Sequence, residues 1–188
     1  MKNTVNKTFK ALELAAARHR NQVRKGTEKT PYINHPINVI SILTEFHETD
    51  PDILAAAALH DVIEDTAKGQ NEINQISAQL EELFGKRVLD IVLEVSDDKE
   101  LPYQKRKELQ ITKTPSLSPA AKKLKIADKI CNIKDMIADP PTSWPTERKI
   151  TYLEWSRKVI QGARGVNPEL EAYFDQIVEE SYIHLTNK

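Results

Sequence analysis

The run His60-Asp61-Val62-Ile63-Glu64-Asp65-Thr66 places one imidazole and three carboxylates within two helical turns. His35 lies upstream of it and Asp128 downstream. On a helix turning about 100° per residue, His60, Glu64, Asp61 and Asp65 share one arc of roughly 140°. Three carboxylates and an imidazole crowded on one arc repel one another and need a cation. Two imidazoles and two carboxylates, from His35, His60, Asp61 and Asp128, suit Mn²⁺, Fe²⁺ or Zn²⁺ better than Ca²⁺. Such a set leaves coordination positions open for water and substrate. Glu64 and Asp65 then stand where a proton could be handled beside the metal. The pattern points to a metal-dependent hydrolase rather than a binding module.

Blander readings compete residue by residue. Glu64 and Asp65 are also what a solvated helix end carries. His35, just before Pro36, is also a capping or packing histidine. Asp128 lies among Leu124, Ile126, Ala127 and Ile130, where a bare carboxylate is expensive to bury. It could pair with Lys125 or Lys129, although a metal would satisfy it better. For His60 and Asp61 the preceding alanine-rich stretch, residues 55–59, favours burial, because small side chains let neighbouring helices approach closely.

Helices must position these groups. Apolar residues recur at helical spacing over residues 7–20, at Phe9, Leu12 and Ala16. Pro36 sits in a first turn, and Ile37, Ile40, Leu43 and Phe46 follow. Asp50-Pro51 caps and opens a helix through Ile53, Leu54, Ala57, Ala58 and Leu59. Residues 70–84 form another, closed by Gly85. Shorter helices are predicted over residues 86–95 and 102–113. Ser118-Pro119 opens a long helix that runs through Ile137 until Pro140-Pro141 stops it. Residues 146–162 and 168–185 complete the chain, the last capped by Asn167. Irregular stretches remain at 21–34, 96–101 and 138–144, and any of these polar loops could line a pocket mouth. The expected fold is all-α, one compact helical bundle over residues 1–188 with no domain boundary.

With 188 residues the chain is long enough to bury a core. Its net charge of −1 argues against a nucleic-acid partner, while 27 Lys and Arg still allow a local basic pocket. The single cysteine, Cys131, has no internal disulfide partner, which suits a reducing compartment. No apolar run approaches the roughly 20 residues of a membrane span. A cytoplasmic protein without a membrane partner is expected. The oligomeric state stays open.

His…His-Asp…Asp resembles the pattern of the HD superfamily of metal-dependent phosphohydrolases. Four segments sharpen the resemblance: His19-Arg20-Asn21-Gln22, Thr30-Pro31-Tyr32-Ile33-Asn34-His35-Pro36, Ala58-Leu59-His60-Asp61-Val62-Ile63-Glu64-Asp65-Thr66, and the ten residues from Leu124 to Ile133. They look like the hydrolase domain of RelA/SpoT proteins, most of all its small stand-alone form. The resemblance spans roughly residues 7–165. Bifunctional relatives carry a synthetase domain after this one, and none is expected here.

The resemblance implies one Mn²⁺ per chain and removal of the 3′-pyrophosphate from guanosine tetra- and pentaphosphate, the stringent-response alarmones. GDP or GTP would be left with pyrophosphate. The family's metal ligands fall on His35, His60, Asp61 and Asp128, and its catalytic acidic pair on Glu64 and Asp65. Asn132 matches a substrate-pocket asparagine, and Arg24 and Lys25 match a basic pair. Lys99 lies in a polar loop, Ser96-Asp97-Asp98-Lys99, that recurs in stand-alone relatives. Phosphate needs cations, and Arg24, Lys25 and Lys99 are candidates. Tyr152 could stack on a base with Arg148 toward phosphate. Lys99, Arg148 and Tyr152 are equally readable as solvated surface residues. Cys131 departs from the family's usual residue and reads as buried packing. Two rivals remain: a related nucleotide phosphatase, such as one acting on NADPH, and a catalytically silent alarmone-binding protein. The second should have lost a ligand or an acid, and all six positions are present.

Overall fold

Asp50 Oδ1 accepts from Asp52 N at 2.9 Å, Ser118 Oγ from Ala121 N at 3.2 Å, and Asn167 Oδ1 from Leu170 N at 3.1 Å. Each of these caps satisfies an amide that the helix itself leaves unpaired, worth about 1 kcal/mol. Each is followed by a proline whose fixed φ suits the first helical position.

The computed structural model describes residues 2–187. Its helices are α1 (Lys2–His19), α2 (Asn34–Glu45), α3 (Pro51–Leu59), α4 (Val62–Thr66), α5 (Gln70–Phe84), α6 (Lys86–Val95), α7 (Tyr103–Lys113), α8 (Pro119–Ala138), α9 (Thr146–Gln161) and α10 (Pro168–Thr186). A 3-10 turn, Thr114–Ser116, links α7 to α8. Among the described residues β pairing is limited to an isolated antiparallel bridge between Val23 and Pro31. The expected all-α fold is the observed one.

The middle of the molecule is α3, every residue of which from Ile53 to Leu59 is buried. Helices α1, α2, α6 and α8 all pack on it. The run Ala55-Ala56-Ala57-Ala58, no more than 1% exposed, makes that crowding possible. Leu124, Ile126, Ile130 and Ile133 of α8 are wholly buried. Each contributes up to about 1.5–3 kcal/mol by leaving water.

Three expectations need correction. In α1 the buried apolar positions among the described side chains are Ala11 and Ala15, whereas Phe9 is 66% exposed and Ala16 is exposed too. Close packing against the alanines of α3 selects small residues at the contact and turns the phenyl ring outward. Helix α2 starts at Asn34, inside the stretch read as loop, and buries Val39, Ile42 and Leu43 while Ile37 stays exposed. Finally, His60 to Asp65 is not one helix. Helix α3 ends at Leu59, Asp61 takes φ −96° and ψ −5°, and α4 begins at Val62. That backbone lies in the sparsely used bridge between helical and extended conformations. Asp65 N still bonds Asp61 O at 2.8 Å, so the helix resumes after a kink.

This frame brings three elements together. Helix α2 presents His35 in its first turn, the α3–α4 junction presents His60 and Asp61, and α8 presents Asp128 at its middle.

Candidate active site

Donor atoms of His35, His60 and Asp128 all lie within 4.8 Å of one another. Asp61 stands at the edge of the trio, its Oδ2 3.1 Å from His60 Nε2 and 3.7 Å from His35 Nε2. Asp128 Oδ1 approaches His35 Nε2 to 3.2 Å. Both imidazoles are buried, 1% and 5% exposed. His60 Nδ1 donates to Ala57 O at 2.8 Å, which leaves Nε2 its lone pair and aims it at the acids. Among the described residues His60 Nε2 and His35 Nδ1 are buried without a hydrogen-bond partner.

The electrostatics ask for positive charge. Burial works against the ionised carboxylates, yet His60 holds Asp61, and Lys129 and His35 hold Asp128, well below the usual carboxylate range. Burial would lower the His60 pKa, and the Asp61 and Asp128 charges raise it instead to about 9. An orphaned imidazole nitrogen beside two ionised carboxylates fits a divalent cation of the nitrogen-and-oxygen class.

The acidic pair lies beside this cluster. Burial pushes the Glu64 carboxyl up to about 7, against the hydrogen bond its Oε2 accepts from Asp97 N at 2.9 Å. Asp65 pairs with Lys99. The kink at Asp61 therefore leaves all four side chains on one cavity of about 830 Å³. That volume suits a nucleotide-sized ligand.

Asn132 lies one turn beyond Asp128 on α8, and its amide donates to Asp128 Oδ1 at 2.6 Å. Arg24 Nη2 donates to Asn132 Oδ1 at 2.8 Å and sits 2.7 Å from Asp135 Oδ2. Lys25 and Tyr152 line the same cavity. Arg148 is set apart: it is exposed, lies 4.4 Å over the Trp144 ring, and does not line the cavity.

The HD domain family matches residues 11–152. The guanosine-3′,5′-bis(diphosphate) 3′-pyrophosphohydrolase MESH1 of Drosophila melanogaster is 43% identical over 175 residues, covering 93% of this chain and 94% of that protein. Its Homo sapiens counterpart is 45% identical over 166 residues, 87% and 88% of the two chains. A solved structure, described as a metazoan ortholog of SpoT that hydrolyzes ppGpp, superposes with a TM-score of 0.85 at 43% identity, covering 93% and 94% of the chains. This chain belongs to the HD-domain family, within its MESH1 branch.

For an HD domain the convergence of His35, His60 and Asp128 suggests a divalent metal site. Several groups escaped the sequence reading of this HD chain. Tyr32 Oη donates to Asp61 Oδ2 at 2.6 Å, and the Tyr32 ring stacks on His19 with centroids 4.6 Å apart. His19 Nδ1 donates to Gln22 Oε1 at 2.6 Å, and Gln22 Nε2 to Asp65 O at 2.9 Å. Tyr32 and the His19–Gln22 segment were both in view as motif letters. Only their contacts reveal a role. Lys129, one of the two lysines the sequence offers as a partner for Asp128, does pair with Asp128 Oδ2 at 2.8 Å and is 5% exposed. Lys125 and Arg106 line the cavity as well, and nothing in their spacing marks them. Cys131 is buried, as expected, and burial pushes its thiol up to about 12.

Proposed function

We propose that this chain is a metal-dependent hydrolase that removes the 3′-diphosphate of guanosine tetra- and pentaphosphate, leaving GDP or GTP. Full-length likeness to proteins named for that activity carries the reading. We further propose that the whole chain is a single domain of this kind, working on a small molecule in the cytoplasm with one Mn²⁺. No described helix is long and apolar enough to cross a membrane, which accords with that setting.

His35, His60, Asp61 and Asp128 would hold the metal. When bound, the ion would supply Lewis acidity and water activation near neutral pH. The chain's own groups do the rest. Glu64, with a pKa near the working pH, accepts the proton of the attacking water. Asp65, paired with Lys99, orients that water or relays the proton taken by Glu64 to the ribose 3′-oxygen. Arg24 and Lys25 bring positive charge to the phosphates, and Asn132 braces Arg24 against Asp128. Tyr152, between Trp144 and Trp155 at ring distances of 5.7 and 5.4 Å, offers an aromatic surface for the guanine.

The test is pyrophosphate release from ppGpp with Mn²⁺, without it, and with EDTA, beside NADPH as rival substrate. Metal-dependent release of GDP and pyrophosphate is expected. Phosphate release from NADPH with none from ppGpp would overturn the substrate assignment.

A further inference from the structure

Lys125 sits on α8 nearly one turn before Asp128 and is 6% exposed. Its neighbour Lys129 is buried as deeply and has Asp128 Oδ2 at 2.8 Å. The Lys125 side chain makes no hydrogen bond or ion pair among the described residues. Three carboxylates attract it from a distance: Asp128, Asp97 and Glu64. Each is already engaged. Asp128 is held by Lys129 and Asn132, Asp97 Oδ2 accepts from Gln110 Nε2 at 2.6 Å, and Glu64 Oε2 accepts from Asp97 N at 2.9 Å. Burial, with Lys129 close by, lowers the Lys125 pKa to about 8. A buried charge without a counter-ion is costly to keep. It is at home where a ligand supplies the missing anion.

A second cation faces the same space from a different helix. Arg106 of α7 lines the cavity with Lys125, and its Nε is buried without a hydrogen-bond partner. Both also line a smaller adjoining cavity of about 240 Å³. They therefore share the stretch of wall where the two cavities meet. An ammonium and a guanidinium on one wall match the non-bridging oxygens of a condensed phosphate.

We propose that Lys125 and Arg106 form a diphosphate subsite, holding the non-bridging oxygens of the diphosphate as it is released. This rests on the hydrolase reading above and deepens it by assigning cations to the departing diphosphate.

The experiment titrates inorganic pyrophosphate calorimetrically into the Mn²⁺-loaded protein. Wild type is compared with Lys125→Met, Lys125→Gln, Lys125→Arg and Arg106→Met, with bound manganese measured in each. Losing one charged hydrogen bond should raise the pyrophosphate Kd about 10-fold or more in the Met and Gln variants. Lys125→Arg should recover most of the affinity. Manganese content should stay at the wild-type level. An unchanged Kd in Lys125→Met and Lys125→Gln overturns the subsite, and so does loss of manganese in those variants. Pyrophosphate binding needs no turnover, so the two proposals fail separately. If wild type leaves ppGpp intact but the variants lose pyrophosphate, the subsite stands and the substrate assignment falls. If wild type hydrolyses ppGpp and the variants bind pyrophosphate normally, the subsite alone falls.

Discussion

Tyr32 Oη donates to Asp61 Oδ2 at 2.6 Å, and that same oxygen lies 3.1 Å from His60 Nε2. Burial and the Asp61 charge push the phenol far above its ordinary pKa, so it remains a donor throughout the physiological range. Asp61 sits at the edge of the donor cluster, and this hydroxyl fixes which way its carboxylate faces.

Tyr32→Phe should therefore weaken metal binding while leaving the fold intact. Outer-shell partners of ligating carboxylates typically matter by about 10–100-fold in metal affinity. A manganese titration followed by equilibrium dialysis reads this directly. An affinity equal to wild type would mean that Asp61 is held by its other neighbours alone.

Asp128→Ala should abolish activity and metal retention, and it should also cost stability without any metal present. It strips Lys129 of its counter-charge at a site only 5% exposed. Breaking such a buried pair costs about 3–5 kcal/mol. Urea unfolding in EDTA, comparing variant and wild type, isolates that loss from the loss of metal.

In its proposed role as proton acceptor, Glu64 should set an acidic limb in the pH profile. Its carboxyl is raised to about 7 by burial and must be ionised to take a proton, so turnover should rise with pH and level off above that value. A cation on Asp61 favours the ionised form and moves the limb to lower pH. Glu64→Gln should cut kcat by about 10²–10⁴-fold and erase the limb, with metal still bound. The same shift has a stability sign. The neutral form is the one favoured in the fold, so the metal-free protein should lose stability as pH climbs from 4.5 toward about 7. Thermal melts of the Gln variant should lack that slope.

Ala56 is fully buried where α3 is crossed by four other helices. Ala56→Leu should destabilise by about 1–3 kcal/mol through overpacking. A differential scanning melt checks it. A melting temperature equal to wild type would mean that the helices around α3 yield more readily than the alanine run implies.

Helix existence was legible because caps, prolines and apolar spacing are local chemistry. Asp50, Ser118 and Asn167 all act as the side chains dictate. Which face of a helix is buried was less legible. Phe9 and Ile37 are apolar by letter but outward-facing, since a neighbour's alanines decide what fits. The candidate metal cluster was visible through residue types that do little else well together. Its supports were not. Tyr32 reaches Asp61 across 29 residues and Arg24 reaches Asn132 across 108, and no spacing rule spans such separations. Arg148 could be named as a cation but not placed, and it ended over Trp144.

The connection from α6 to α7 sends Asp97 N to Glu64 and Lys99 to Asp65. The two acids of the motif thus take their partners from a segment more than 30 residues away. That separates the reactive groups from the dial that tunes them. Drift in this seven-residue strap, at 96–102, can shift the acidity of Glu64, and with it the working pH of the protein, while every letter of the His-Asp motif stays in place.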